Sequence, residues 1–145
     1  MRNINEFNIP SGNTHGYEIL YFGVNLILMF DYRLSFDVEL KSWKEDGGGS
    51  NNDKIEVLII SRKDVSAWKS SSSSTTQDIK LHYINSGQKI NDVFKPSVSD
   101  AYAFILSNRS FPVNNNNNNN TKKVDVTLIH TWQQEIKESH LRDRQ

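Results

Sequence analysis

Four histidines, His15, His82, His130 and His140, are the side chains here best suited to hold a metal or move a proton near neutral pH. A metal centre legible in sequence needs ligands spaced to share one face of an element, as in HExxH. None of the four has such spacing, so scattered structural or surface histidines are expected and no metal site is assigned. Only His82 and His130 fall inside expected strands, and pairing them across a sheet would still leave a third ligand unnamed.

Nucleophilic catalysis would need a serine with a base and an orienting acid, usually signalled by a glycine-flanked serine on a sharp turn. Ser11-Gly12, Ser86-Gly87 and the run from Ser70 to Ser74 lack that setting and read as turn or linker serines. Asp31, Asp37 and Glu39 supply carboxylates, but Asp37 and Glu39 fall on the solvent parity of a strand. Neither GxxxxGKS/T nor GxGxxG occurs, and "GGGSNND" (47–53) precedes a strand rather than a helix, so it offers no phosphate cradle. No catalytic residue and no cofactor are expected, and the chain reads as a non-enzyme. Two of His82, His130, Asp37 and Glu39 in one cleft would reverse that expectation.

Binding is better served by the three tryptophans. Trp43 ends the strand from Leu34, Trp68 sits in "DVSAWKSS" before a serine run, and Trp132 ends the last strand, so all three lie near loop ends. In a lectin-like sandwich such rings stack on sugars; otherwise they seal the ends of the core, since Trp is usually largely buried. Trp43, Trp68 and Trp132 are therefore the candidate ligand contacts. The serine run beside Trp68 reads as a linker, with phosphorylation as the functional alternative.

These residues must be carried by strands. "LSFDVEL" alternates Leu34, Phe36, Val38 and Leu40 against Ser35, Asp37 and Glu39, the pattern of a half-buried antiparallel strand. "IEVLII" (55–60), "IKLHYI" (79–84), "AYAFIL" (101–106) and "VDVTLIHTW" (124–132) follow suit, the fourth placing Tyr102, Phe104 and Leu106 on one face. "YEILYFGVNLILMF" reads as two strands meeting at Gly23, one bent, centrally buried strand, or a buried helix. Seven or eight short strands with no convincing core helix describe an all-β antiparallel sandwich of jelly-roll type.

The chain has 145 residues, enough for one domain with its own core. Seventeen Lys and Arg balance seventeen Asp and Glu, which removes the footprint of a general nucleic-acid binder. There is no cysteine, hence no disulfide framework, a usage that suits a reducing compartment. "MRNINEFNIPSG" lacks the apolar core of a signal peptide. The most apolar stretch, 17–32, is shorter than the roughly 20 residues that span a bilayer, so no transmembrane segment is expected. Without a secretory route, the sequons at Asn108 and Asn119 read as accidents. Three tracts, 47–53, 70–77 and 114–120, hold no apolar side chain and mark surface connections. The seven asparagines of the last read as padding, and 133–145 as a polar tail too short for a coiled coil.

"FDYRLSFDVEL", "SVSDAYAFILSNRSF" and "VDVTLIHTW" together resemble the GOLD domain, the β-sandwich of Golgi-dynamics and p24-type cargo proteins, over residues 4–132. Asp37-Val38 matches the family's Asp-hydrophobic pair. Tyr102, Phe104, Leu106, Asn108 and Phe111 match its strand and turn, and Lys122 or Lys123 with Val124 its return strand. On that match the aromatics enter the core, Asn108 makes the turn by bonding its own backbone, and a lysine leads the closing edge. The signal peptide, cysteine pair, coiled coil and anchor of p24 proteins have no counterpart here. The resemblance therefore implies the kind found in cytosolic lipid-transfer and Golgi-associated adaptor proteins: a non-catalytic module that binds a protein partner through loops or an edge strand, cytoplasmic and peripheral to Golgi or endomembranes. The alternative is a carbohydrate- or lipid-binding sandwich using its tryptophans. Oligomeric state is not legible.

Overall fold

First and last strands pair, then second and second-to-last, and so inward, in a computed structural model that describes residues 2–10, 16–42, 54–70, 79–108 and 121–133. The strands are β1 (Arg2–Ile9), β2 (Tyr17–Val24), β3 (Phe30–Ser42), β4 (Ile55–Ser61), β5 (Tyr83–Gly87), β6 (Lys89–Phe94), β7 (Asp100–Ser107) and β8 (Lys122–Gln133). A 3₁₀ turn (Arg62–Asp64) and a short helix α1 (Val65–Ser70) follow β4. β1 pairs with β8, β2 with β7, β3 with β6 and β4 with β5, all antiparallel. This long nested hairpin folds over into two four-stranded sheets, A (β1-β8-β3-β6) and B (β2-β7-β4-β5), an all-β jelly-roll sandwich as expected.

Alternation in β3 decides which side of sheet A is dry. Leu34, Phe36, Val38 and Leu40 are buried beside Val124, Val126 and Leu128 of β8. They face Tyr102, Phe104 and Leu106 of β7 and Val57 and Ile59 of β4, with Phe36 edge-on to Phe104 at 5.2 Å between centroids. Each such side chain contributes about 1.5–3 kcal/mol by leaving water. The opposite parity, Ser35, Asp37 and Glu39, lies on the outer face of sheet A beside Asn91, Asp125 and Thr127.

The central strands of sheet B, β4 and β7, are dry on both sides. Leu58 and Ile60 of β4 and Ala103 and Ile105 of β7 form a second cluster on the outer face of the sheet, roofed by Val65 and Trp68 of α1 and by Ile79. β4 is accordingly buried at all seven positions, which explains why its apolar residues run on rather than alternate.

Several expectations are corrected. α1 belongs to the core although no core helix was expected; six residues are too few to display a 3.6-residue period. The 17–32 stretch is two strands separated by 25–29, not by Gly23, and β2 is an edge strand rather than a central one. Its two-sided apolar character arises because Tyr17 and Ile19 pack under the helical roof while Leu20 and Phe22 face the inner core. β5 starts at Tyr83, leaving 79–82 outside it. β8 lies inside sheet A, so Lys122 does not lead an edge; its Nζ, almost fully buried, donates to the Lys54 carbonyl at 2.7 Å. Asn108, expected to bond its own backbone, donates from Nδ2 to the Ile9 carbonyl at 3.2 Å.

Candidate functional site

The β2–β3 connection, "NLILM" (25–29), is held by its first residue. Asn25 Oδ1 accepts the Ile27 amide at 3.0 Å and the Leu28 amide at 3.3 Å, as an Asx-turn does. Its carbonyl accepts Leu28 N at 3.0 Å and Met29 N at 2.7 Å. The Leu26 amide reaches Ser99 Oγ at 2.8 Å across the sandwich end, and Asn25 N meets Met29 Sδ at 3.3 Å. Every backbone N–H from 25 to 29 thus has a partner within the protein. Leu26 and Met29 fold back on the core, while Ile27 and Leu28 project.

Immediately after the loop the backbone turns over. Asp31 has φ 58°, in the left-handed region, and a register shift separates Phe30 from Arg33 along β8. This bulge points Phe30 outward while Tyr32 enters the core. The Asp31 carboxylate is flanked by Lys95 Nζ at 3.3 Å and Arg33 Nη2 at 3.5 Å, both exposed cations.

An apolar surface gathers at this end. Ile27 is 80% exposed, Leu28 65%, Phe30 55%, Val98 50% and Trp132 41%. Of the other large hydrophobics exposed among the described residues, Tyr21 and Ile84 belong to the outer side of sheet B and Val93 to that of sheet A. Only the sandwich end collects several, which distinguishes it from scattered surface side chains.

Beneath the surface lies an aromatic platform. Phe22 stacks on Tyr102 at 5.5 Å and on Tyr32 at 6.3 Å, and Tyr32 meets Trp132 at 6.2 Å. Tyr32 Oη and His130 Nδ1 are 2.5 Å apart. Burial raises the Tyr32 phenol and lowers the His130 imidazole, so a neutral phenol meets a neutral ring, and the imidazole tautomer sets which of the two donates. His82 packs edge-on against Tyr102 at 5.2 Å, on the far side of the Phe22–Tyr102 stack from His130.

One constellation has the residue types of acyl transfer. Ser61 Oγ donates to Asp100 Oδ2 at 2.7 Å, and His82 Nε2 stands 3.5 Å from Ser61 Oγ. In a Ser-His-Asp triad the histidine lies between serine and acid and takes the hydroxyl proton. Here the carboxylate holds the hydroxyl directly and the serine is buried. Asp100 also accepts the Ala101 amide at 2.8 Å, and the Ser61 hydroxyl followed by that amide holds its carboxyl below the usual range. Burial first, then Lys80, lowers His82. This wiring pins the end of β4 to the start of β7.

Trp43 lies outside the described residues. Trp68 is 3% exposed and edge-on to Tyr17 at 5.2 Å under the roof of sheet B, whereas Trp132 stands at the sandwich end on sheet A. The two are not brought together. Asp37 and Glu39 lie on the outer face of sheet A, apart from both histidines. Ile27, Leu28 and Phe30 went unnoticed in the sequence, where they extend an apolar run that looks like core. The available signal is Asn25, a turn former inside that run. Among the described residues no group of three His, Asp or Glu is placed to hold a metal, and no helix is long and apolar enough to cross a membrane. Neither protein-family models nor curated proteins yield a match to this chain.

Proposed function

We propose that this jelly roll is a non-catalytic binding module, GOLD-like in kind, that meets its partner through the end formed by the β2–β3 loop, Phe30, Val98 and Trp132. The observation that carries the reading is the collection of exposed apolar side chains on a loop whose amides are already bonded. Such a surface offers area to bury and is held in shape beforehand, which lowers the ordering cost of binding. The edges of sheet A are the poorer candidates, because β1 and β6 present Asn5, Glu6, Asn8, Lys89 and Asn91, the polar and charged residues that discourage strand addition. Catalysis is not favoured, because the Ser61 hydroxyl donates to the Asp100 carboxylate at 2.7 Å while the base, His82 Nε2, stands off at 3.5 Å. A cytoplasmic position against Golgi or other endomembranes belongs to the same proposal and rests on the GOLD resemblance.

The test is a photo-crosslinking amino acid at Phe30 in the full chain, with Asn91 on the outer face of sheet A as the control position. The Phe30 adduct should be competed by excess unlabelled wild-type chain and not by an Ile27→Ser/Leu28→Ser chain. Adducts formed equally from both positions, or competed equally by both chains, would overturn the reading.

A further inference from the structure

We infer that the surface met by this end is a lipid bilayer, with Ile27 and Leu28 entering the acyl boundary and Phe30 and Trp132 lying at headgroup level. The inference rests on the proposed function above and names the class of its partner.

Three observations carry it. The first is hydrogen bonding. A protein partner can satisfy open amides, but hydrocarbon cannot, so a backbone that enters lipid must bring its partners with it. The 25–29 amides do so, through Asn25 Oδ1, the Asn25 carbonyl, Ser99 Oγ and Met29 Sδ. The Asx-turn therefore presents Ile27 and Leu28 on a tip whose amides need no water.

The second is the order of side-chain types away from the tip. Aliphatic Ile27 and Leu28 are the most exposed, aromatic Phe30 follows, Val98 and Trp132 are exposed less, and cationic Lys95 and Arg33 stand around the base of the bulge. A bilayer presents its layers in the matching order: acyl chains, an interface favoured by aromatic rings, and headgroups that attract Lys and Arg when anionic.

The third is the charge of this end. Among the described side chains there, Arg33, Arg62, Lys63, Lys80 and Lys95 outnumber Asp31, Asp64 and Asp100, although the whole chain is neutral. The two half-buried histidines, whose imidazoles burial lowers, add little charge at neutral pH. A modest excess of positive charge behind an apolar tip fits an anionic leaflet, each cation adding a small attraction that salt screens.

The chain has no cysteine, so Leu28→Cys provides a unique site for an environment-sensitive dye, and Asn91→Cys a control. The probes are vesicles of phosphatidylcholine with and without phosphatidylserine. The dye at 28 should shift to the blue on adding vesicles, more at low salt and with phosphatidylserine, and the dye at 91 should not. Ile27→Ser/Leu28→Ser should weaken co-flotation of the unlabelled chain by roughly tenfold per aliphatic lost, and Lys95→Gln should reduce the phosphatidylserine preference. Equal thermal melts of the variants guard against misfolding. No shift with either vesicle, while the Phe30 crosslinker still captures a competable protein, would overturn the lipid assignment and leave the binding module standing. No shift and no competable adduct would overturn both.

Discussion

The two ends of this sandwich are built on opposite principles. At one, the five-residue connections 25–29 and 95–99 meet through the Leu26–Ser99 bond, and apolar side chains face out. At the other, β1 hands over to β2, β3 to β4 and β7 to β8, and buried polar groups turn in. Asn108 ties the β1–β2 connection to the end of β7, through its amide to the Gly16 carbonyl at 2.7 Å and its side chain to Ile9. Lys122 clamps the start of β8 to the residue before β4. An end held by buried polar clamps fixes where strands leave the sheets, whatever is strung between them. The end that closes by itself is the one free to offer its side chains to something else.

Removing a clamp should produce the largest effect. Asn108→Ala leaves the Ile9 carbonyl buried without its donor, a loss of about 1–3 kcal/mol. Urea unfolding should show a lowered midpoint at unchanged slope, with vesicle binding of the folded chain unaltered. If binding fell with stability, the two ends would be coupled and the contrast between them lost.

How much of this contrast is legible in the sequence depends on whether a residue's role is local. β3 announces itself because its two faces meet different media, and β7 reveals Tyr102, Phe104 and Leu106 for the same reason. β1 does not, because an edge strand with Asn3, Asn5, Glu6 and Asn8 resembles a polar terminus. The apolar end is harder still. Ile27 and Leu28 have the letters of core residues, and only the fold reveals that Asn25 turns them away from it. Tyr32 and His130 are 98 residues apart, so no local pattern could join them. Trp132 was within reach as a ring near a loop end, but its separation from Trp68 follows from the sheet order.

Acid should produce a smaller loss, originating at the apolar end. The described histidines and the carboxylate whose protonation is shifted, His82, His130 and Asp100, all stand there. Burial lowers both imidazoles in the folded chain, so below the ordinary histidine value of about 6.5 the unfolded chain binds the extra proton more readily. That part of the stability is whole above 6.5 and declines as pH falls towards the lowered folded values. Asp100 has the same sign in a lower window: its contribution is present above 3.8 and lost as pH falls through its depressed folded value. Urea midpoints should therefore drop between about pH 7.5 and pH 5, and His82→Gln/His130→Gln should flatten that drop. An unchanged slope in the double variant would remove the histidines as its source and leave the ends alike in acid.

The smallest effect is expected at the clamped end, from its most conspicuous sequence. The seven asparagines, 114–120, lie between β7 and β8, and their own structure is outside the described residues. With β7 held at Asn108 and β8 at Lys122, the free energy of closing the connection depends on its length only logarithmically, about 0.6 kcal/mol per doubling. Deleting four asparagines shortens the connection by less than half, so the urea midpoint should scarcely move or should rise slightly, and vesicle binding at the distant apolar end should stay at the wild-type level. A fall in either would mean that the asparagines make contacts the sandwich needs. Tolerance would follow from the clamps alone, and Asn108→Ala combined with the deletion checks this. If the deletion remains near neutral only while Asn108 is present, the polar clamp is what lets this end carry so long an insert.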